Sequence, residues 1–361
     1  MVSLILEFVL QRGMTMNNTQ NTYEFLPNDF ELASDKNIHI DKVYEAQPHW
    51  KDVLGTFVKN KGAIVGMVAI ILVIFMAVIG PGMSGYTYDG QIISEQNLAP
   101  RIKGLESLGI FDGSETMHTS TGPVEMNNYE KLGLTDTYYW FGSDVLGRDI
   151  FTRVWEGTRI SLYIALVAVI VDMCFGMSYG LISGYFGGKV DNVMQRFAEI
   201  LNGIPTLVIV TLLMLVLKPG LATITLALAI TGWIGMSRIA RAQVLKLKEQ
   251  EFILASKTLG ARDFYVIFKE ILPNIFGQLI IMSMFSIPNA IFTEAFLAFI
   301  GLGVPAPMAS LGSLISDAFK SFTTHPYMII SPVVVLAIIM LSFNMLADGL
   351  RDAFDPKMKE M

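Results

Sequence analysis

Long apolar stretches separated by polar loops dominate the chain after residue 60. Six of them come close to, or exceed, the length of about 20 mostly apolar residues that a helix needs to cross a bilayer. They lie near residues 63–80, 160–184, 201–218, 221–237, 275–300 and 328–347. Strands would leave backbone groups unpaired in lipid, so these stretches are predicted to be helices. The pattern therefore predicts an all-α polytopic membrane protein with six transmembrane helices.

The distribution of Lys and Arg in the short loops predicts the orientation of the chain. The loop from Arg238 to Lys269 is rich in basic residues, whereas the loop from Gly301 to Tyr327 holds only Lys320. Because cytoplasmic loops carry the excess of basic residues, the first of these loops is predicted to be cytoplasmic. Counting spans from it places both chain termini in the cytoplasm.

These assignments divide the chain into predicted segments. In order they are a cytoplasmic N-terminal tail at 1–61, a first transmembrane helix at 62–81, an extracytoplasmic insertion at 82–158, a five-helix core at 159–347 with a cytoplasmic loop at 238–274, and a cytoplasmic C-terminal tail at 348–361. The insertion is too long for a simple turn. Its composition leaves open a small folded cap, a partner-contact surface or a partly ordered loop. The translation start is also open among Met1, Met14 and Met16.

Composition supports a membrane protein and excludes several classes of function. Of the 361 residues, 52% are hydrophobic and only 16% are charged, which is too apolar for an ordinary soluble domain. The net charge of -6 and the lack of a basic patch argue against a nucleic-acid partner. The single cysteine, Cys174, rules out a disulfide or a paired-cysteine metal site within the chain.

Motifs of catalysis and nucleotide binding are absent from the sequence. It contains no GxxxxGK[ST] phosphate loop, no HExxH and no GxSxG. The four histidines are scattered singly, so none is paired at the spacing of metal ligands. The chain is therefore predicted to be no enzyme and to hold no metal and no cofactor of its own.

Two carboxylates and an amide stand out within the predicted spans. Asp172 lies near the middle of the second span, where an acidic residue costs about 2.5–3.5 kcal/mol on insertion scales. Glu294 lies towards the outer end of the fifth span, after Pro288 and Asn289, which should bend or locally open that helix. Asp172, Asn289 and Glu294 are therefore candidates for a path or gate. Hydrogen bonds between helices are the structural alternative.

A charged loop between two spans is predicted to form a short helix that docks a separate motor. Small and apolar residues recur there at a spacing of three to four, opposite a charged face. Gly260 ends this helix. A helix held between two spans can act as a lever that carries movement of a cytosolic partner into the membrane. The predicted docking residues are Glu251, Phe252, Ala255, Ser256, Lys257, Leu259, Gly260 and Ala261.

The same loop resembles the EAA motif in permease subunits of ATP-binding-cassette (ABC) importers, specifically the C-type permease of the oligopeptide/dipeptide/nickel branch. The positions that fall in register are Ala255, Ser256, Gly260, Leu272 and Pro273. Three positions depart from the motif: Leu254 replaces an acidic residue, Ser256 an alanine and Glu270 an isoleucine. Any ion pair made by the missing acid is thereby in doubt, and Glu251 is a candidate for a substitute charge.

Three further blocks resemble the same branch and occur in the same order. They are Phe141–Asp144 with Gly147–Asp149 before the second span, Thr293–Ala295 with Phe299–Gly303 at the end of the fifth, and Asp348–Asp352 with Asp355 and Pro356 in the tail. The resemblance covers nearly everything after residue 50. Four ordered blocks across six spans are far more specific than one EAA-like match.

The resemblance implies a type I ABC importer permease fold, with the extracytoplasmic insertion between helices 1 and 2. It further implies a bacterial plasma membrane, a heterodimer with a homologous permease, two cytosolic ATPases that bind ATP and Mg, and an extracytoplasmic solute-binding protein. Oligopeptides are the expected solute, and dipeptides or nickel are alternatives within the branch. From the residues alone, an ion-coupled secondary transporter using Asp172 and Glu294, or a non-transporting scaffold, also stays open.

Overall fold

The computed structural model of the protein describes residues 49–106, 109–119 and 122–354. The predicted N-terminal tail before residue 49, which contains the candidate start residues, lies outside the described residues. So do residues 355–361, which include Asp355 and Pro356 of the tail block.

Two helices form the first described part of the chain. α1 spans His49–Lys59 and α2 spans Lys61–Ile79. Asn60 between them caps α2, because its side-chain oxygen accepts a hydrogen bond from the Ala63 amide at 3.1 Å. Asn60 Nδ2 also donates to Asp352 Oδ2 at 2.9 Å. This corner is therefore fastened to the last helix of the chain.

The segment between α2 and the next long helix contains a small folded unit in its described residues. Its elements are the strand β1 at Ser114–Thr119, the strand β2 at Gly122–Asn127 and the helix α3 at Asn128–Leu132. The strands pair antiparallel, with Ser114 opposite Asn127. Leu98, Tyr129 and Tyr139 form a buried cluster beside them. The Tyr129 hydroxyl is satisfied by donation to the Ala99 carbonyl at 2.9 Å.

The second long helical run begins earlier than the hydrophobic pattern indicates. It comprises α4 at Ile150–Val171, a π-helical turn at Asp172–Gly176 and α5 at Met177–Phe186. Its start near residue 150 rather than 160 follows from Asp149, whose carboxylate caps α4 by accepting the Thr152 amide at 3.0 Å. Residues 150–158 therefore belong to the helix and not to the predicted insertion.

The third predicted span, residues 201–218, corresponds to the helix α7 at Thr206–Leu217, and a further helix, α6 at Gly188–Asn202, precedes it at an angle. The two are bent by 76°. Pro205 explains the break, because it has no N–H for helical bonding and disfavours helical backbone at the residue before it. The fourth span, α8, covers Leu221–Leu247 and is ten residues longer than the predicted end at residue 237.

The remaining helices complete the fold. They are α9 at Glu251–Thr258, α10 at Asp263–Tyr265, α11 at Leu272–Leu297, α12 at Leu311–Lys320 and α13 at Tyr327–Phe354. π-helical turns at Val266–Ile271 and Ala298–Leu302 join α10 to α11 and extend α11. Pro288 lies inside α11, which stays helical on both sides of it instead of opening there.

Within the described residues, five helical runs are long and apolar enough to cross a membrane, and the bent pair α6 and α7 makes up to six. The five are Lys61–Gly82, Ile150–Phe186, Leu221–Leu247, Asp263–Leu302 and Tyr327–Phe354. The prediction of a helical multi-pass membrane protein is confirmed, with a count of five to six spans.

Glycines allow the run of α4 and α5 to pack closely on α8. A Cβ at Gly180 would lie 2.3 Å from the Ser237 carbonyl oxygen, and one at Gly176 would lie 2.6 Å from the Trp233 carbonyl oxygen. Both obstacles are backbone atoms of α8, so a larger residue could enter only if a helix moved. The close contact positions Asp172, at the start of the π-helical turn, beside α8.

Candidate functional site

A cavity of about 520 Å³ lies between the α4–α5 run, the α6–α7 bend, α8 and α11. Its wall combines apolar side chains with hydroxyl, amide and carboxylate groups. The polar lining residues are Asp172, Asn202, Thr206, Thr231, Ser286, Asn289 and Thr293. A mainly apolar chamber of this size with a few polar groups is typical of a small-molecule site.

Asp172 and Asn289, two of the three candidate path residues, lie on the wall of this cavity. Asp172 is 5% exposed, and Ser286 of α11 lies on the same cavity wall. Asn289 follows Ser286 by three residues, which places both on one face of α11. The fold thus joins residues that are more than a hundred positions apart in the sequence.

Glu294, the third candidate, is fully buried outside the cavity lining. Its Oε2 accepts a hydrogen bond from Ser161 Oγ at 3.2 Å, and Ser161 Oγ in turn accepts from the Leu311 amide at 3.3 Å. These contacts link α4, α11 and the start of α12. The arrangement corresponds to the structural alternative, a tie between helices.

The charged loop forms the short helix α9, and an apolar residue outside the predicted docking set packs against the rest of the chain. Ile253 is fully buried and anchors α9, whereas Phe252 is 47% and Leu259 89% exposed. Glu251 and Ala255 are also exposed. The predicted small-to-apolar face is therefore an uncovered surface of this chain. Sequence reasoning missed Ile253, because an apolar residue next to Phe252 carries no signal of which of the two is buried.

Two side chains of α9 attach it to the membrane helices. Ser256, half-buried, donates to Glu270 Oε1 at 2.5 Å, and Glu270 belongs to the π-helical turn that leads into α11. The Lys257 ammonium lies 4.4 Å from the ring centre of Tyr185 at the end of α5. The Tyr185 hydroxyl donates to Asp263 Oδ1 at 2.6 Å. Two of the departures from the EAA pattern, at positions 256 and 270, thus pair with each other.

Gly260 ends the loop helix as predicted. Its φ is +86°, a left-handed conformation that glycine adopts without steric cost. The Ala261 amide then donates to the Ser256 carbonyl at 3.1 Å, which closes the last turn. Ala261 is half-buried against the core cluster that contains Ile253.

An ion pair between buried Asp191 of α6 and half-buried Arg241 of α8 was not predicted. Arg241 of α8 donates through Nε and Nη2 to the two carboxylate oxygens of Asp191 in α6, at 2.6 and 2.5 Å. Ser183 Oγ of α5 donates to Asp191 Oδ1 at 2.5 Å. The group fastens three helices together. Asp191 shares the polar side of α6 with Gln195 and Asn202, so its position in the sequence gives no signal of an ion pair.

The block Phe141–Asp149 forms a hydrogen-bonded turn ahead of α4. Arg148 Nε donates to Asp144 Oδ2 at 2.6 Å. Burial raises the pKa of the Asp149 carboxyl above its ordinary value, while hydrogen bonds from Thr152 oppose the rise. The block therefore fixes the start of the helix that carries Asp172.

Comparison with known families assigns the class of protein. Residues 176–360 match the family described as binding-protein-dependent transport system inner membrane component, and residues 49–100 match the N-terminal TM domain of oligopeptide transport permease C. The chain therefore belongs to the binding-protein-dependent transport permeases, in the oligopeptide/dipeptide branch of ABC importers. The resemblance inferred from the four sequence blocks is confirmed.

Individual relatives are similar over most of their length. The chain is 43% identical over 311 residues to the oligopeptide transport system permease protein OppC of Bacillus subtilis, covering 86% of this chain and 90% of that protein. It is 39% identical over 332 residues to the dipeptide transport system permease protein DppC of the same organism, covering 91% and 93%. These relatives are permease subunits, so the chain is a transport subunit and not an enzyme.

Among solved structures, an inward-facing form of the MetNI methionine ABC transporter aligns with 56% of this chain and 95% of its own chain. The TM-score is 0.46 and the sequence identity is 17%.

Proposed function

We propose that this chain is one of two homologous permease subunits of an ATP-driven importer of oligopeptides in the bacterial plasma membrane. Its cavity forms one side of the solute path, and its partners are the second permease, two cytosolic ATPases that bind ATP and Mg, and an extracytoplasmic solute-binding protein. The chain holds no cofactor of its own. Both termini lie in the cytoplasm, on the same side as α9.

The observation that carries the proposal is the attachment of α9 to both main cavity walls. On one side, Lys257 contacts Tyr185 of α5, and that helix follows directly on the π-helical turn that starts at Asp172. On the other side, Ser256 binds Glu270, which leads into α11 with Ser286 and its cavity-facing neighbours. Displacement of α9 would therefore move both walls together.

An ATPase bound to the exposed face of α9 can exploit this linkage. Closure of the ATPase dimer on ATP would pull α9, rotate the attached helices and open the cavity to the outside, where the solute-binding protein delivers its solute. Hydrolysis would release the dimer and return the cavity to an inward-open state. The exposed apolar side chains Phe252, Leu254 and Leu259 supply the contact area that such a partner would cover.

The cavity chemistry supports a peptide as solute. Hydroxyl and amide side chains along the wall match the alternating donors and acceptors of a peptide backbone. Within the described residues, no group of three or more His, Cys, Asp or Glu side chains is placed to hold a metal ion, which disfavours nickel. The relative of 43% identity is an oligopeptide permease and that of 39% a dipeptide permease, which supports the longer solutes.

The test is uptake of a labelled short peptide by cells with the intact gene, a deletion, or Leu259→Glu. Leu259 is 89% exposed, so an acidic residue there should leave the fold intact and disrupt only a docked partner. We expect Leu259→Glu to lower uptake about tenfold or more, with loss of co-purifying ATPase. ATP depletion at maintained membrane potential should likewise lower uptake by the intact strain.

The matched control is Leu132→Glu, the same change at a half-exposed leucine of α3. It should leave ATPase co-purification unchanged. Uptake that persists in Leu259→Glu cells and during ATP depletion, but stops when the membrane potential collapses, would contradict the proposal and favour an ion-coupled transporter.

A further inference from the structure

Asp172 is the one charged side chain among the described residues that line the cavity. All other lining groups are apolar side chains, hydroxyls or amides. Among the described residues, no ion pair involves Asp172, although the residue is buried. A buried charge without a counter-charge is costly, so a cationic group brought into the cavity would be attracted to it.

The backbone around Asp172 leaves room for such a group. A Cβ at Gly232 of α8 would lie 3.6 Å from Asp172 Oδ1, so glycine keeps this side of the carboxylate uncovered. One turn along, Gly235 also lines the cavity, and a Cβ there would meet nothing within 4 Å. The close packing of Gly176 on α8 fixes the carboxylate opposite this gap. Space and charge are therefore found at the same place.

The neighbouring acceptors fit an ammonium group in particular. An ammonium carries three N–H donors and no acceptor, so it needs several oxygens arranged around it. Asp172 supplies carboxylate oxygens, and Ser286 and Asn289 add a hydroxyl and an amide oxygen from one face of α11. A guanidinium favours a planar double contact with one carboxylate, whereas the acceptors here are spread over Asp172 and two further side chains.

We propose that Asp172 is the ammonium subsite of the cavity and binds the free α-amino terminus of the transported peptide. Ser286 and Asn289 accept its remaining N–H groups, and Gly232 keeps the approach open. The inference rests on the proposed function, because it assumes that the solute is a peptide. It adds a specificity-determining residue within the permease, separate from any selection made by the solute-binding protein.

The experiment measures initial uptake rates of three labelled peptides in cells that contain the complete importer. The peptides are trialanine, N-acetyl-trialanine and N-acetyl-Ala-Lys-Ala, which carry an α-ammonium, no ammonium and a side-chain ammonium. The strains carry the native chain, Asp172→Asn, Gly232→Ala, or the control Glu199→Gln, which changes an exposed acid of α6 outside the cavity lining. Because every strain has the same solute-binding protein, its own preference cancels when strains are compared.

We expect Asp172→Asn to lower uptake of trialanine about tenfold or more and that of N-acetyl-trialanine less than about twofold, because only the first loses a buried charge contact. Gly232→Ala, which keeps the carboxylate but narrows the approach, should lower trialanine uptake in the same selective way. Glu199→Gln should behave as the native chain. The uptake rates are divided by the membrane content of each variant, measured by immunoblot. If Asp172→Asn does not reach the membrane, the result for Gly232→Ala tests the proposal in its place.

Each other result overturns some part of the proposal. Equal losses for all three peptides would make Asp172 a structural residue, and unchanged rates would remove it from the path. Selective loss of N-acetyl-Ala-Lys-Ala alone would keep the ammonium subsite and overturn the α-amino assignment. Failure of the native strain to import any peptide would instead refute the proposed function, a result that is distinct from all of these.

Discussion

At the residue scale, Ser256 and Glu270 are two departures from the EAA motif that form one hydrogen bond with each other. Each is a departure from the family pattern, and an isolated glutamate near a helix anchor is unfavourable. The Ser256 hydroxyl binds Glu270 Oε1, while Oε2 of the same carboxylate is buried and makes no hydrogen bond in the described part of the chain. The pair replaces apolar packing between α9 and the turn that leads into α11 with a hydrogen bond.

A double-mutant cycle tests the hydrogen bond between Ser256 and Glu270. Ser256→Ala alone should destabilise the loop by about 1.5–3 kcal/mol, because it leaves a charged acceptor without its donor. The double variant Ser256→Ala/Glu270→Ile restores the family residues at both positions, so its loss should be smaller than that of either single change. Thermal unfolding of the purified importer and peptide uptake measure the effect. Additive losses would mean that the two side chains do not act together.

At the element scale, the hydrophobic pattern predicted where helices cross the membrane but not where they break. Apolar length is a property of the sequence, whereas helix ends depend on caps and on neighbouring helices. The cap at Asp149 and the break at Pro205 had readable signals. The π-helical turn at Asp172–Gly176 had no such signal, because it contains no proline and does not begin with a glycine.

The candidate site, too, has features that the sequence predicted and features that it did not. The presence of a loop helix and of Asp172 in a span followed from residue type and position. The burial of Ile253 and the separation of Glu294 from the cavity depend on contacts between distant helices, and these cannot be read from local pattern. The close packing that creates the cavity wall is likewise a property of two helices together.

The glycine contact between α5 and α8 makes that packing testable. Gly180→Ala would place a Cβ 2.3 Å from the Ser237 carbonyl oxygen, so it should destabilise the protein by about 1–3 kcal/mol and lower uptake. Gly55→Ala in α1 is the matched control, because a Cβ there meets nothing within 4 Å. It should be neutral or stabilise by up to about 1 kcal/mol. Equal unfolding temperatures for the two variants would refute the close-packing argument.

At the scale of the whole molecule, two separate linkages connect one small helix to the two sides of one cavity. The hydrogen bond of Ser256 with Glu270 connects α9 to α11. The contact of Lys257 with Tyr185, whose hydroxyl binds Asp263, connects α9 to α5. A single linkage would move one wall and distort the cavity, whereas two allow both walls to move as a unit. Loss of either should therefore impair coupling without removing the exposed apolar side chains that a docked ATPase would cover, Phe252, Leu254 and Leu259.

Tyr185→Phe tests the hydroxyl contact of the α5 linkage, because it removes the hydroxyl that donates to Asp263 and keeps the ring under Lys257. We expect ATPase co-purification to be unchanged and peptide imported per ATP hydrolysed to fall about three- to tenfold, the range of a coupling contact. Tyr163→Phe, at a half-exposed tyrosine of α4, is the control and should leave this ratio unaltered. If Tyr185→Phe instead lowered ATPase binding, Tyr185 would belong to the docking surface. If the ratio held, the hydroxyl contact with Asp263 would not be needed for coupling, and the contact of Lys257 with the ring would be sufficient.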